Sequence, residues 1–323
     1  MNTRMRYLAA GMICAGISLT VRAQSQPAQY PARPVRVIVP FAAGGGSDLS
    51  ARQIAAKLSE HLGHQFVIDN RGGGGGLIGM EITASAAPDG HTIMFSSGSY
   101  VATMAMRKSS YGMLKSMLPV VEVAAAPYVV GVHPSLPDSM KALLDLARDK
   151  PGHLAYASTG VGGLTHLASE LLISMAKVKI THVPYKGGGP AMPDVLAGRT
   201  PILINPAFAL MPYFRSGRLR PLAVTGTTRL PELPDVPIVA DTVPGFVVYT
   251  WYAIFAPAGT PRVIVNKLNA TVNNIVSDRE MKKSFENQGM AGTGGTPEKL
   301  DKTVRDDYAR WAKVVKENNI TAD

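Results

Sequence analysis

The chain has 323 residues, of which 46% are hydrophobic and 17% charged, with 32 glycines and 24 prolines. This is long enough for two packed cores, and the composition excludes a disordered protein. The formal net charge is +10, but the basic residues are scattered and form no block with interleaved aromatic residues. We therefore expect no nucleic-acid partner, although a basic protein can attract small anions to a cleft.

The first 23 residues have the pattern of a secretory signal. Arg4 and Arg6 precede an apolar stretch from Leu8 to Leu19, and Val21 to Ala23 offers small residues for cleavage. A membrane anchor, the alternative, needs about 20 apolar residues. We predict that residues 1–23 are removed on export to the periplasm. The single cysteine, Cys14, lies in this segment, so the mature chain has neither a disulfide nor a thiol nucleophile.

Apolar strand-like runs then alternate with helical patterns. The first set predicts strands at Val35–Pro40, Gln65–Asp69 and His91–Ser96, separated by helices at Asp48–Leu62 and Leu77–Ala87. Helices between buried strands favour parallel pairing with right-handed crossovers. The pattern therefore predicts an α/β fold that begins with a βαβαβ unit.

A second set follows and predicts another parallel sheet. Its expected strands are Val120–Val132, Leu154–Ser158, Ile180–Pro184, Pro201–Asn205 and Pro221–Thr225, and its helices are Asp138–Arg148, Leu164–Met175, Ala191–Ala197 and Ala207–Phe214.

The last part of the chain is expected to return to the first half. A proline-rich connector at Gly226–Pro244 precedes a strand at Phe246–Pro257 and helices at Pro261–Ser277, Arg279–Gln288 and Pro297–Glu317. We predict that residues 24–125 and 246–323 form lobe 1 and that residues 126–245 form lobe 2. Two crossings, near residues 123–130 and 245–254, would then serve as a hinge.

Three glycine-rich segments follow strands and open helices: Phe41–Asp48, Ala157–Thr165 and Tyr185–Pro190. Glycines let backbone N–H groups approach a ligand, and a helix start adds free donors and a positive dipole end. The segments predict an anion site, against the alternative of plain tight turns. Lys186, the only cation in them, is either a ligand contact or a solvated surface charge.

Other motifs give little support to catalysis. Gly74–Gly79 matches G-x-G-x-x-G but lacks the acidic residue expected about 20 positions later, so it is interpreted as a loop at the cleft rim. No nucleophile elbow or H-E-x-x-H motif occurs. We expect no metal and no cofactor. Trp251 and Tyr252 are interpreted as core residues, with a cleft wall as the alternative.

Several longer strings resemble one family. The sequence from Tyr30 to Asp48 (YPARPVRVIVPFAAGGGSD), Asn70–Gly79 (NRGGGGGLIG), His182–Ala191 (HVPYKGGGPA), Ser216–Thr225 (SGRLRPLAVT) and Ala256–Pro261 (APAGTP) are similar, in the same order, to the tripartite tricarboxylate transporter substrate receptors, also called Bug proteins. The resemblance runs from about Tyr30 to the C-terminus.

The resemblance implies a periplasmic receptor with two α/β lobes, a Venus flytrap fold, which closes on a small mono- or dicarboxylate. It implies no enzymatic activity, and membrane permease subunits or a sensor protein as partners of a monomer; a periplasmic enzyme acting on a carboxylate is the alternative. Asn205 stands where the family often has Asp, which disfavours an amino-acid ligand. The candidate ligand-binding residues are Phe41, Ala42, Gly44, Gly45, Ser47, Asp48, Ser97, Ser158, Thr159, Gly160, Gly163, Thr165, His166, Tyr185, Lys186, Gly187, Gly188 and Asn205.

Overall fold

Strands and helices alternate along most of the chain in the computed structural model, which describes residues 30–107, 112 and 115–321. The predicted signal segment, residues 1–23, lies outside the described residues. The strands are β1 (Val35–Val39), β2 (Phe66–Asn70), β3 (Thr92–Ser97), β4 (Met117–Val132), β5 (Ala155–Ser158), β6 (Thr181–Pro184), β7 (Ile202–Pro206), β8 (Arg220–Val224), β9 (Tyr249–Pro257) and β10 (Ala291–Gly292).

The helices lie close to their predicted positions. They are α1 (Gly46–Leu62), α2 (Leu77–Ala84), α3 (Ser99–Met106), α4 (Met140–Asp149), α5 (Leu164–Ala176), α6 (Gly188–Leu196), α7 (Ala207–Arg215), α8 (Arg262–Ser277), α9 (Arg279–Glu286) and α10 (Pro297–Glu317). The sequence pattern did not predict α3, whose residues are nearly all buried and so show no amphipathic period. None of the helices in the described part of the chain combines the length and apolar character of a membrane span.

Two groups of strands form the two lobes. In the first lobe, β1 pairs in parallel with β2 and β3, and β9 lies antiparallel between β3 and β4. In the second lobe, β5 pairs in parallel with β6 and β7. The α/β prediction is confirmed. The prediction of a parallel second sheet is wrong for two of its strand pairings, because β4 pairs antiparallel with β7 and β8. The antiparallel pairings were not predicted, because they join segments far apart in sequence.

The long strand β4 belongs to both lobes. Its residues 117–127 pair with β9, whereas residues 128–132 pair with β7. Strand β8 pairs with this second part as well. The chain therefore passes between the lobes inside a continuous strand. The predicted residue boundaries of the lobes and the hinge stay predictions.

The C-terminal helix α10 packs against both lobes. Near its start, Leu300 and Val304 pack with Tyr100 of α3 in one core cluster. In its second half, Trp311 packs with Leu167 of α5 in a different core cluster. Trp311 is 1% exposed and is among the largest fully buried side chains. The helix thus contributes to a core cluster of each lobe.

We expect Trp311→Ala to lower the free energy of unfolding by about 3–5 kcal/mol, because it removes a large side chain and leaves a cavity. Urea unfolding followed by circular dichroism measures the change. Val263→Ala is the control, since Val263 is 67% exposed in α8. A Trp311→Ala loss no larger than that of the control would contradict the packing of α10 described here.

Candidate functional site

A small pocket lies between the two lobes, at the ends of strands from both. First-lobe segments contribute the residues after β1 and β3, and second-lobe segments contribute the residues after β5 and β7. The lining residues are Phe41, Gly45, Gly46, Ser47, Ser97, Ser99, Tyr128, Thr159, Thr165, Gly188, Asn205, Pro206 and Tyr252. We call this space the inner pocket.

Five helices begin at the inner pocket. Helices α1 and α3 belong to the first lobe, and α5, α6 and α7 belong to the second. None of the five has an N-cap side chain that bonds its first turn. Two first-turn N–H groups bond nearby serines instead: that of Leu164 in α5 donates to Ser99 Oγ at 3.1 Å, and that of Ser99 in α3 donates to Ser97 Oγ at 3.4 Å. Of the five described helices that start elsewhere, α4, α9 and α10 are capped by Ser139, Asp278 and Thr296, whereas α2 and α8 have no side-chain cap. Uncapped helix starts attract anions through their N–H donors and dipoles.

The lining of the inner pocket is neutral. Among the described residues that line it, none is Asp, Glu, Lys, Arg or His. Asn205 is 5% exposed and has no side-chain hydrogen bond within the described part of the chain. Burial raises the pKa of Tyr128 and Tyr252, so both phenols remain protonated and can donate. The pocket is therefore rich in uncharged hydrogen-bond donors.

Asp48 fixes the first glycine loop instead of facing the inner pocket. Its carboxylate accepts from the Gly44 N–H at 2.9 Å, from Asn70 Nδ2 at 3.0 Å and from Arg52 Nε at 3.1 Å. Burial raises the pKa of Asp48, but these hydrogen bonds and the Arg52 charge outweigh it and hold the pKa below its usual value. Asp48 therefore stays ionised and neutralised, which holds the loop without adding negative charge to the pocket.

The glycine loops of the two lobes touch each other directly. The Ala42 N–H donates to the Lys186 carbonyl at 2.9 Å. A Cβ added at Gly189 would lie 2.1 Å from the Ala43 carbonyl oxygen, and one at Gly75 would lie 2.2 Å from that of Val161. Real Cβ atoms do not approach so closely. Glycine at these positions therefore permits the close approach of the lobes.

Two stacked histidines support the second-lobe loop. The rings of His166 and His182 are 4.1 Å apart between centroids. His182 Nε2 is 2.6 Å from Ser158 Oγ, and His166 Nδ1 accepts from the Gly162 N–H at 3.3 Å. Burial, with the neighbouring His182 charge, lowers the pKa of His166 to about 3, and burial lowers that of His182 to about 4.

This Ser–His pair differs from a catalytic arrangement. Ser158 does not line the inner pocket. Within the described part of the chain no carboxylate bonds His182, which stacks instead on His166 and Tyr156. A base without an orienting acid and a hydroxyl away from the cavity do not form a nucleophilic site. The described residues also contain no cluster of His, Cys, Asp or Glu suited to a metal ion.

The structure brings eight of the predicted binding residues together in the inner pocket: Phe41, Gly45, Ser47, Ser97, Thr159, Thr165, Gly188 and Asn205. Ala42, Gly160, Tyr185 and Lys186 lie instead along a wider space at its edge, the rim groove, which is lined by Ala42, Gly73, Gly74, Gly75, Arg107, Gly160, Val161, Pro184, Tyr185, Lys186 and Pro190.

The remaining predicted residues shape the loops. The Gly44 N–H donates to the Asp48 carboxylate. Ser158 and His166 belong, with His182, to the group of stacked histidines and their hydrogen-bond partners, which we call the histidine cluster. Gly163 precedes α5, and its N–H donates to the Gly160 carbonyl. Gly187 has a φ of 142°, which favours glycine, and packs against Ala42.

Five lining residues were not among the predicted ones: Gly46, Ser99, Tyr128, Pro206 and Tyr252. Gly46, Ser99 and Pro206 adjoin predicted segments at helix starts, a position that could have identified them. The two tyrosines come from β4 and β9, the paired strands that run antiparallel between the lobes. Their approach depends on that pairing, although Tyr252 had a cleft wall as its alternative interpretation.

The inner pocket is narrow. Its volume is about 20 Å³, which is room for about one water molecule. Tyr252 and Pro206 approach Gly46 so closely that a Cβ there would lie 3.0 Å from the tyrosine hydroxyl. Entry of anything larger than water therefore requires the walls to separate.

Comparison with known proteins identifies relatives over nearly the whole chain. The model of the tripartite tricarboxylate transporter family receptor matches residues 50–320. The chain is 39% identical to the UPF0065 protein in the tcbD-tcbE intergenic region of Pseudomonas sp. (strain P51), over 100% of this chain and 97% of the relative. It is 37% identical to protein BugT of Bordetella pertussis, over 94% of this chain and 93% of BugT.

Solved structures share the fold. Rpa4515 of R. palustris, solved with adipate, has a TM-score of 0.87 at 38% identity and covers 90% of this chain and 99% of its own. The periplasmic binding protein BugD has a TM-score of 0.87 at 30% identity, with coverage of 90% and 99%. MatC of Rhodopseudomonas palustris, with bound malate, has a TM-score of 0.84 at 31% identity, with coverage of 88% and 100%. The two-lobed fold of periplasmic binding proteins is confirmed.

The histidine cluster should make the free energy of unfolding depend on pH. Both histidines have a folded pKa below the usual 6.5, so the unfolded chain binds more protons between about pH 6.5 and 4. Their contribution is complete above pH 6.5 and is lost as the pH falls, by up to about 1.4 kcal/mol per pH unit for each histidine. Urea unfolding at pH 7.0, 6.0 and 5.0 should give a shallower decline for His166→Gln/His182→Gln than for the wild type. Parallel declines would exclude this role.

Gly189→Ala should hold the lobes apart, because the new methyl group collides with the Ala43 carbonyl. In the presence of a saturating carboxylate, which closes the wild type, small-angle X-ray scattering should give a larger radius of gyration for this variant than for the wild type. Gly112→Ala is the control, since a Cβ at Gly112 meets nothing within 4 Å. If both variants scatter like the wild type, the loop contact does not limit closure.

Proposed function

This chain belongs to the tripartite tricarboxylate transporter receptor family, and from that premise we propose that it is a periplasmic receptor for a small mono- or dicarboxylate. The family and its structural neighbours are solute-binding receptors rather than enzymes. In this proposal the inner pocket holds the carboxylate groups, and the two lobes close around them.

The convergence of five uncapped helix starts carries the proposal. First-lobe and second-lobe helices present N–H groups to the same space, together with the hydroxyls of Ser47, Ser97 and Thr165. Carboxylate oxygens accept hydrogen bonds and carry the negative charge that helix dipoles favour. A cationic ligand would find no acidic partner among the described lining residues.

Neutral donors suit a receptor that must release its ligand. A hydrogen bond contributes about 0.5–1.5 kcal/mol net, and more to a charged group. Six to eight of them reach about −8 kcal/mol, which corresponds to micromolar affinity. A bidentate arginine clamp would bind more tightly and dissociate more slowly. No arginine lines the described pocket.

Two neighbours indicate the class of ligand. One was solved with adipate and another with malate, both dicarboxylates. The present pocket of about 20 Å³ is smaller than either molecule, so we propose that ligand enters between separated lobes and that the loops meet around it. Closure would exclude water and strengthen the polar contacts.

We propose that the exported receptor delivers its ligand to membrane subunits of a tripartite tricarboxylate transporter. Family membership and the signal pattern of residues 1–23 support this placement. Delivery to a sensor protein is the second candidate, and it uses the same pocket.

Isothermal titration calorimetry tests the proposed ligand class. We expect adipate or malate, or another acid from a screen of C2–C8 mono- and dicarboxylates, to bind with micromolar affinity. Adipamide is the matched neutral control for adipate and should bind far more weakly, because it lacks the charge that the helix starts favour. Absence of binding by every acid, or equal binding of acid and amide, would contradict the proposal.

Asn205→Asp should weaken binding of the acid found in that screen. The two side chains have nearly the same shape, but an aspartate adds a negative charge to the pocket or, if protonated, loses the amide donor. We expect a loss of at least about tenfold, or about 1.4 kcal/mol. Asn287→Asp, at an exposed site after α9, is the matched control and should bind like the wild type. Equal affinities of both variants would remove Asn205 from the binding site.

A further inference from the structure

The rim groove is a second concave surface, distinct from the inner pocket. It has a volume of about 640 Å³ and is open to solvent. Ala42, Gly75 and Arg107 reach it from the first lobe, whereas Val161 and Lys186 reach it from the second. The groove is therefore a surface that neither lobe has alone.

The charge of the rim groove has one sign. Arg107 and Lys186 are its only charged residues within the described part of the chain, and neither forms an ion pair there. Lys186 is exposed, and the pyrrolidine rings of Pro184 and Pro190 are exposed beside it. A groove with two cations and apolar edges is complementary to an acidic polypeptide segment.

The shape of the rim groove depends on contact between the lobes. The hydrogen bond from the Ala42 N–H to the Lys186 carbonyl joins its two sides, and Gly75 packs against Val161 across it. When these contacts open, Arg107 and Lys186 move with different lobes. The two charges are therefore held at a fixed spacing only while the loops touch.

We propose that the rim groove is a docking surface for an acidic segment of the membrane partner and that it is complete only in the closed receptor. The proposal rests on the proposed function for the identity of the partner, not for the chemistry of the groove. A segment with successive carboxylates can contact cations on both lobes at once. A single small anion in so open a groove would be held mainly by the solvated charge of Lys186.

Fluorescence anisotropy with a labelled hexaglutamate peptide tests the groove. With the receptor saturated by an acid from the carboxylate screen, which closes the lobes, the wild type should bind the peptide, and Arg107→Glu/Lys186→Glu should weaken binding by at least about tenfold. Lys150→Glu/Lys316→Glu makes the same change of net charge at exposed sites outside the groove and should weaken it less than about twofold. Arg107→Gln/Lys186→Gln should give an intermediate loss of peptide affinity. This neutral variant replaces the charge-reversed one if the charge reversal prevents folding.

A second experiment tests whether peptide binding needs contact between the lobes. Gly189→Ala changes no charge but should also weaken hexaglutamate binding severalfold, because it separates the two cations. No peptide binding by the acid-saturated wild type, equal losses in the two charge-reversed variants, or full binding by Gly189→Ala with lobes that scattering shows to be separated would each overturn the proposal. Free glutamate that binds as tightly as the peptide would instead identify a small-anion site. Calorimetry with carboxylates reports on the inner pocket separately, so a receptor that binds acid but not peptide refutes only the groove.

Discussion

The proposed function places one electrostatic constraint on the structure: a carboxylate must be held by dipoles and N–H groups rather than by a cation. Each helix start contributes a fraction of a charge, so several must point to the same place. Two lobes allow this, because α1 and α3 approach from one side and α5, α6 and α7 from the other. No N-cap side chain bonds the first turn at these five starts, although the first N–H groups of α3 and α5 donate to Ser97 and Ser99.

The same constraint explains the glycines. N–H groups from two lobes reach one small anion only if the backbones nearly touch, and a side chain at Gly75 or Gly189 would prevent that approach. Asp48 completes the arrangement by holding the first loop through Gly44, while Arg52 neutralises its charge and Asn70 donates a further hydrogen bond to it. In the proposed function, binding and closure are therefore two consequences of the same loop contacts.

The sequence predicted what local chemistry determines. The glycine loops after β1, β5 and β6, and the helices that follow them, could be predicted because turns and helix starts have short sequence signatures. Tyr128 and the antiparallel path of β4 and β9 could not, because they depend on long-range pairing. Asp48 and His166 were chosen for their position, but Asp48 bonds the loop and His166 stacks on His182. Lys186 faces the rim groove.

The distance between the lobes tests the account most directly. The chain from residue 24 has no cysteine, so spin labels can be placed at Ala56→Cys in α1 and Ala197→Cys after α6, both at exposed sites. Pulsed electron–electron double resonance should give one narrow distribution of distances between the two spin labels with a saturating carboxylate. Without it, the distribution should be broader or shifted to longer distances. The same distribution in both conditions, at ligand concentrations that calorimetry shows to be saturating, would contradict the claim that two separable lobes assemble the pocket.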